Sequence, residues 1–197
     1  MPLLDSARST LLVIDLQGKL VPMVHRPTLV LEATRRLMRL AEMFAVPVVL
    51  TEQYPKGIGP TEASILALFD RLATPAFRLE KTAFSCCAAP GFHELLAKAR
   101  PALPIRQHQI VVAGIEAHVC VVQTVLELLE AGYPVQVCWD AVSGRGEEHR
   151  RHALERMAAA GATLTNHESV AFEWARDKQH PGFKALSALM KEGQPEG

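Results

Sequence analysis

The sequence has little of the features that mark several specialised classes of protein. It contains only four cysteines in 197 residues, too few and too scattered for a disulfide framework, so we expect a reducing compartment. Lysine plus arginine and aspartate plus glutamate number 21 each, which leaves no basic surplus to attract nucleic acid. No apolar run approaches the roughly 20 residues that cross a bilayer. We therefore expect neither a nucleic-acid partner nor a membrane partner.

Several short motifs are also missing. The chain begins Met1-Pro-Leu-Leu-Asp5, without the basic and apolar segments of a signal peptide, so we expect a cytoplasmic location. The motifs G-x-G-x-x-G and G-x-x-x-x-G-K-[ST] are absent, which argues against dinucleotide and P-loop chemistry. The absence of G-x-S-x-G argues against an α/β-hydrolase. The adjacent Cys86 and Cys87 lack the C-x-x-C spacing of a zinc or redox site, and we interpret them as loop thiols.

The chain is instead rich in apolar residues, at 49%, and these fall into two alternating patterns. Short apolar runs typical of buried strands alternate with segments in which apolar residues recur at helical spacing. Such alternation is typical of right-handed βαβ units around a parallel sheet. It predicts one domain over residues 1–192, with an α/β fold: a doubly wound, Rossmann-like three-layer α/β/α sandwich with a six-stranded parallel sheet. Residues 193–197 are predicted to be a frayed tail. The predicted strands are Leu11–Ile14, Val48–Leu50, Phe77–Glu80, Ile110–Ala113, Pro134–Trp139 and Ala162–Thr165.

The stretch 110–124 organises the rest of the chain. It begins as a wholly apolar run that ends at Gly114, which is typical of a strand buried on both faces. From Val122 onward, apolar residues recur at helical spacing. Cys120 therefore lies where a strand has ended and a helix begins, and the free N–H groups of a helix N-terminus stabilise a thiolate. We expect a thiol with a lowered pKa and raised reactivity; the alternative is an ordinary buried cysteine.

Two further reactive side chains follow predicted strands. Asp15 ends the first strand, and Lys81 follows the third. The carboxyl ends of the strands in a doubly wound sheet share one edge, where ligands bind, so Asp15, Lys81 and Cys120 are placed to converge. Taken alone, Asp15 is equally well explained as a residue that caps a neighbouring loop, and Lys81 as a solvated surface charge.

Three motifs in this order resemble the isochorismatase-like cysteine hydrolase superfamily, which includes nicotinamidases and N-carbamoylsarcosine amidohydrolase. The resemblance covers nearly the whole chain, and the order and spacing are more specific than any one motif. A further segment, Thr51-Glu-Gln-Tyr-Pro-Lys-Gly57, is similar to the small single-domain subgroup of isochorismatase domain-containing proteins, whose substrates are poorly defined. The three motifs are Leu-Leu-Val-Ile-Asp15-Leu-Gln17, Glu80-Lys81-Thr-Ala-Phe-Ser85 and Gly114-Ile-Glu-Ala-His-Val-Cys120.

The resemblance implies a reaction and the residues that carry it. It implies an Asp-Lys-Cys triad at Asp15, Lys81 and Cys120, which hydrolyses an amide-type C–N bond through a thioester. It also implies a cis peptide bond between Ile115 and Glu116, which would turn backbone N–H groups, with that of Cys120, into an oxyanion hole.

The sequence departs from two branches of this superfamily. Nicotinamidases carry an Asp/His metal site after the second strand, whereas segment 51–55 has no histidine here. We therefore expect no metal and no other cofactor, and nicotinamide is a doubtful substrate. True isochorismatases lack the nucleophilic cysteine, so Cys120 argues against isochorismate.

Six residues at the predicted strand ends are candidates for substrate contact. The two glycines and two prolines of segment 51–60 predict a loop that offers polar and aromatic groups to a ligand. Each candidate is equally well explained as an ordinary loop residue. His118 could pair with Cys120, but packing at the turn is the simpler interpretation. The candidates are Gln17, Glu52, Gln53, Tyr54, Phe84 and His118.

Three functions remain open from the sequence. The first is a hydrolase acting on an unidentified small molecule. The second is a binding or interaction protein that keeps the fold with negligible turnover, and the third is a thiol-redox protein that uses Cys120 with Cys86 or Cys87. The resemblance also implies a homo-oligomer, in which a neighbouring subunit often shapes the pocket.

Overall fold

Six strands, all paired in parallel, form the central sheet in the order β3-β2-β1-β4-β5-β6. The structure is a computed structural model that describes residues 3–192, so the tail predicted at 193–197 lies outside the described residues. The predicted six-stranded parallel sheet is confirmed. Its strands are β1 (Ser9–Ile14), β2 (Val48–Gln53), β3 (Ala76–Lys81), β4 (Gln109–Ile115), β5 (Val135–Ser143) and β6 (Thr163–Thr165).

Helices cover both faces of this sheet. One apolar core joins a face of the sheet to α1, α3, α7 and α8, and a second core joins the other face to α4, α5 and α6. The doubly wound α/β/α sandwich is therefore confirmed. Within residues 3–192 the α-helices are α1 (Pro27–Met43), α2 (Pro55–Ile58), α3 (Ala63–Phe69), α4 (Phe92–Ala99), α5 (Val122–Glu130), α6 (Glu147–Ala159), α7 (His167–Ala175) and α8 (Phe183–Lys191).

The prediction of a loop over residues 51–60 is wrong in part. Strand β2 continues through Thr51 to Gln53 as part of the parallel ladder with β3, and Pro55–Ile58 forms a helical turn. The polar residues at 51–53 are buried, which composition alone did not reveal, since polar residues are mostly exposed. The candidate residues Glu52 and Gln53 therefore belong to a rigid strand end.

The strand order fixes where a ligand can bind. Chain connections run outward in one direction from β1 and in the other from β4, so the topological switch point lies between these two strands. In open α/β sheets, ligands bind beyond the carboxyl ends of the strands at such a point. The end of β1 carries Asp15, and the end of β4 leads to Cys120. No helix within residues 3–192 combines the length and apolarity needed to cross a membrane.

Candidate active site

Asp15 and Lys81 form a buried ion pair at the carboxyl edge of the sheet. The Nζ atom of Lys81 lies 2.6 Å from Oδ2 of Asp15, and both side chains are fully buried. Asp15 follows the last residue of β1 and adopts a left-handed conformation with φ of 51°, uncommon for a residue other than glycine. The chain therefore leaves the strand at the residue that carries the carboxylate. The structure brings these two predicted site residues together.

The ammonium of Lys81 is held by acceptors on three sides besides Asp15. It donates to Oε1 of Gln53 at 2.7 Å and to the backbone oxygen of Phe84 at 3.0 Å. The backbone oxygen of Ala83 lies 3.3 Å away. Because an ammonium has only three N–H donors, these contacts saturate it. Lys81 is therefore fixed in the interior, and its interpretation as a solvated surface charge is wrong.

Thr51 fixes the other oxygen of the Asp15 carboxylate. Its hydroxyl donates to Oδ1 of Asp15 at 2.7 Å. Successive side chains of a strand point to opposite faces, so Thr51 and Gln53 lie on the face of β2 that meets the ion pair. Both carboxylate oxygens of Asp15 thus have a buried hydrogen-bond donor.

Cys120 lies in a π-helical turn, Ala117–Val121, that leads directly into α5. Such turns are rare and are frequently found at functional sites. Cys120 is 6% exposed, and its thiol lies close enough to the negative charge of Asp15 and the positive charge of Lys81 for both to shift its pKa. The structure therefore brings all three predicted triad residues into one buried cluster.

The expected stabilisation of the Cys120 thiolate is wrong. Burial raises the pKa of this thiol well above its usual range, and the negative charge of Asp15 raises it further, whereas the positive charge of Lys81 opposes the shift only in part. Desolvation disfavours the charged form of a thiol, and burial is the largest cause of this shift. The thiol consequently keeps its proton at neutral pH, with a carboxylate beside it that is placed to accept that proton.

The strand end before Cys120 has two unusual backbone features. The peptide bond between Ile115 and Glu116 is cis, at the position that the resemblance implies. Gly114 has φ of +126°, and a Cβ there would lie 2.1 Å from the backbone oxygen of Ile14. Only glycine permits this approach of β4 to β1. The backbone oxygen of Glu116 then accepts from the N–H groups of Val119 and Val121, which closes the turn.

Gln17 and Glu52 occupy closed positions in the fold. The Nε2 atom of Gln17 donates to the backbone oxygens of Gln53 and Gly59, and its Oε1 accepts from the Gln53 N–H at 2.8 Å. Glu52 points to the opposite face of β2 from Thr51, where both the N–H and the hydroxyl of Thr61 donate to its Oε1. Neither side chain has free hydrogen-bonding groups at the triad, and Glu52 is not part of the cluster.

Tyr54, Phe84 and His118 lie around the buried cluster. Tyr54 and Phe84 are 53% and 55% exposed, and Phe84 is tied to the site by its backbone contact with Lys81. His118 stacks on His149 of α6 with ring centroids 4.4 Å apart. Burial is the largest cause that lowers the pKa of His118. His118 thus packs against α6, as its interpretation as a packing residue predicts.

The sequence patterns did not identify Thr51 and Thr124 as residues of the site, nor the burial of Cys86. The hydroxyl of Thr124 donates to the backbone oxygen of Cys120 at 2.7 Å and accepts from the N–H of Cys86 at 2.9 Å. The sulfur of Cys86 lies 3.8 Å from the hydroxyl oxygen of Thr51, and burial raises the pKa of this thiol to about 11. Cys86 and Cys87 lie in the loop between β3 and α4, as their interpretation as loop thiols predicts, but Cys86 is fully buried. The period-two alternation of β2 is the signal that could have identified Thr51.

Comparisons with known proteins agree with this geometry. A profile of the Isochorismatase domain matches residues 9–169. Isochorismatase domain-containing protein 2 from Homo sapiens is 35% identical over 189 residues, which cover 95% of this chain and 85% of that protein.

Two solved structures are similar over almost the full chain. A protein described as MAR1 ribonuclease from Caenorhabditis elegans has a TM-score of 0.87 and 34% identity, covering 99% of this chain and 95% of that one. The YcaC gene product from Escherichia coli, described as an octameric hydrolase of unknown specificity, has a TM-score of 0.85 and 26% identity, covering 97% and 90%. With the match to the domain profile and the human relative, these similarities establish that the chain belongs to the isochorismatase family.

Proposed function

We propose that this protein is a cysteine hydrolase that cleaves an amide-type C–N bond of a small molecule. Cys120 is the nucleophile, Asp15 is the general base and acid, and Lys81 holds Asp15 in place. The observation that carries the proposal is the buried Lys81–Asp15 pair at 2.6 Å with the protonated thiol of Cys120 beside the carboxylate. A buried nucleophile within reach of a base that a third group orients is the arrangement expected for covalent catalysis.

The first half of the reaction forms a thioester. The sulfur of Cys120 attacks the carbonyl carbon while its proton moves to the carboxylate of Asp15, so no free thiolate is needed. The backbone N–H of Cys120 lies in the first turn of its helix, where N–H groups have no partner earlier in that helix, and it stabilises the oxyanion that develops. Asp15 then returns the proton to the departing nitrogen as the C–N bond breaks.

The second half releases the acid and restores the site. Water gives a proton to Asp15 as its oxygen attacks the thioester carbon, and the C–S bond breaks. The sulfur recovers its proton from Asp15, and the carboxylic acid leaves. Lys81 keeps its hydrogen bonds to Asp15, Gln53 and the backbone, and its positive charge stabilises the ionised form of Asp15.

The protein is also proposed to work as a homo-oligomer. The E. coli relative YcaC is described as octameric. Half-exposed aromatic side chains at Tyr54 and Phe84 flank the edge of the sheet where the triad lies. Apolar exposed groups of this kind favour contact with a second subunit.

The proposal is tested by trapping the thioester. The protein is incubated with a panel of small amides, quenched in acid and analysed by intact mass spectrometry, while released ammonia is measured in parallel. We expect an acyl adduct and ammonia with wild type, and neither with Cys120→Ala. Cys86→Ser is the matched control, since it removes a buried neighbouring thiol but leaves the triad.

The alternative functions give different outcomes in this experiment. A binding protein forms no adduct with any amide. A thiol-redox protein instead forms a disulfide that includes Cys120 on mild oxidation, which peptide mapping detects. Ammonia release that persists in Cys120→Ala would overturn the proposal outright.

A further inference from the structure

A second cleft lies between α1 and α3, outside the cluster of Asp15, Lys81 and Cys120. It encloses about 550 Å³ and is lined by four arginines. Three of them lie on α1, where Arg39 follows Arg36 by three residues and Arg35 by four, and residues at these spacings share one face of a helix. Arg71, just after α3, faces them across the cleft.

The cleft carries an excess of positive charge. Against four guanidinium groups, its lining contains two carboxylates, those of Glu32 and Glu192, in a chain whose net charge is zero apart from histidine. Glu32 pairs with Arg36 at 2.9 Å within the same helix. Glu192 comes from beyond α8 and pairs with Arg39. Two guanidinium charges are therefore left without a matching carboxylate in the cleft.

Glu192 shows how the arginines hold an oxyanion. Its two carboxylate oxygens accept from Nη1 and Nη2 of Arg39 at 2.5 and 2.9 Å, a two-pronged contact. Arg36 donates to the backbone oxygen of the same residue. Guanidinium groups bind carboxylate and phosphoryl oxygens through this planar fork. A side chain of the protein thus occupies a place that an anionic ligand can take.

The other two arginines keep donors to spare. Arg35 donates to the hydroxyl of Ser64 at 2.9 Å, which uses one of its five N–H groups. Within residues 3–192, Arg71 forms no ion pair closer than 4.0 Å. Leu68 and Ala67 add an apolar surface between them. The cleft therefore has cationic donors on two walls and an apolar portion, and its volume is in the range of small-molecule sites.

We propose that this cleft binds a small molecule carrying two or more linked phosphoryl groups. A monocarboxylate satisfies one guanidinium fork, as Glu192 does for Arg39, whereas a chain of phosphoryl groups has enough oxygens to reach Arg71 and Arg35 as well. Binding displaces the Glu192 carboxylate from Arg39. The site is separate from the proposed hydrolase site, so its ligand is not the amide substrate.

The test is isothermal titration of the full chain with inorganic tripolyphosphate. We expect saturable binding to wild type and at least about tenfold weaker binding to Arg71→Ala, since a charge-assisted hydrogen bond contributes about 1.5–3 kcal/mol. Glu192→Gln removes the competing carboxylate and should tighten binding several-fold. Arg151→Ala is the matched control, because Arg151 lies on the exposed side of α6, where it forms ion pairs with Glu148 and Glu155.

Three results would overturn the proposal. One is the absence of binding to wild type at millimolar tripolyphosphate, and another is an equal loss of affinity in Arg71→Ala and Arg151→Ala. The third is tighter binding of a single-stranded RNA oligonucleotide than of tripolyphosphate, with a loss of that binding in Arg71→Ala. This result would show that the arginines bind a nucleic-acid polymer and not a small molecule. Glu192→Gln keeps all four arginines, so its tighter binding checks the proposal even where an arginine variant folds poorly.

Discussion

Thr51 decides how the base of the proposed triad is oriented. A carboxylate has two oxygens that exchange places by rotation about one bond, so a single contact leaves its direction open. Lys81 holds Oδ2 of Asp15 at 2.6 Å, and Thr51 holds Oδ1 at 2.7 Å. The two donors together fix the carboxylate plane, which sets the direction in which Asp15 can accept the proton of Cys120. Thr51 is a positioning residue in this scheme.

The role of Thr51 gives a prediction for the reactivity of Cys120. Thr51→Val keeps the shape of the side chain but removes the hydroxyl, and a hydrogen bond to a charged group contributes about 1.5–3 kcal/mol, so alkylation should slow by about 10- to 100-fold. The measurement is the pH profile of Cys120 alkylation by iodoacetamide, followed by peptide mass spectrometry.

Thr51→Ser is the matched control for the orienting hydroxyl. It restores the donor on a smaller side chain and should recover most of the wild-type rate. A merely structural role would change stability without moving the pH profile. If Thr51→Val and Thr51→Ser give the same profile, the hydroxyl does not orient Asp15.

Among the elements, the contact between β1 and β4 places the base and the nucleophile side by side. The two strands pair from Ser9↔Gln109 to Ile14↔Gly114, and the chain leaves β1 at Asp15 and β4 after Ile115. Gly114 lets the ends of these strands approach, because a Cβ at this position would lie 2.1 Å from the backbone oxygen of Ile14. The geometry of the site therefore depends on the absence of a Cβ atom at position 114.

Gly114→Ala should damage the fold more than a comparable glycine substitution elsewhere. It adds a clash with backbone to an unfavourable φ, and we expect a loss of more than about 3 kcal/mol in the free energy of unfolding. Gly161→Ala is the control, since Gly161 also has positive φ, +109°, but no atom within 4 Å of its Cβ position. That variant should lose about 1–2 kcal/mol. Urea unfolding measures both, and equal losses would contradict the proposed contact.

The elements also show where sequence patterns stop being informative. Apolar or alternating patterns located all six strands, and unbroken apolar runs mark those buried on both faces of the sheet, such as β1 and β4. They missed the end of β2, since Thr51, Glu52 and Gln53 are polar residues that are buried by hydrogen bonds rather than by apolar contacts. Composition predicts a loop at such a segment. Only its pairing partners, which lie 30 or so residues away in β3, make it a strand.

At the scale of the whole molecule, the topology of the parallel sheet was the most useful basis for predicting the site from the sequence. Asp15, Lys81 and Cys120 are distant in the chain, yet each follows a predicted strand, and a parallel sheet brings such positions to one edge. The protonation state of Cys120 was not predictable in this way. Position suggested a stabilised thiolate, whereas burial beside Asp15 raises the pKa of the thiol, and the degree of burial depends on segments that pack from across the fold.

At the opposite end of β4, a buried histidine makes the stability of the whole domain depend on pH. His108 precedes β4, is 2% exposed, and its Nε2 lies 2.8 Å from the hydroxyl of Thr10 in β1. Its ring also packs edge-on against Tyr133. Burial, and then the positive charge of Arg100, lower the pKa of His108 to about 4. The unfolded chain has an ordinary histidine pKa of about 6.5.

The sign of the effect follows from proton binding. Between pH 6.5 and 4 the unfolded chain binds a proton that the folded chain excludes, so the free energy of unfolding falls as the pH falls. Above about pH 6.5 neither state binds it and the contribution is constant. We expect wild type to lose roughly 2 kcal/mol more than His108→Gln between pH 6.5 and 4.5, measured by urea unfolding at each pH. His93→Gln, which changes an exposed histidine of α4, should show the same pH dependence of unfolding as wild type. Equal losses of unfolding free energy in wild type and His108→Gln would show that a group other than His108 binds the proton.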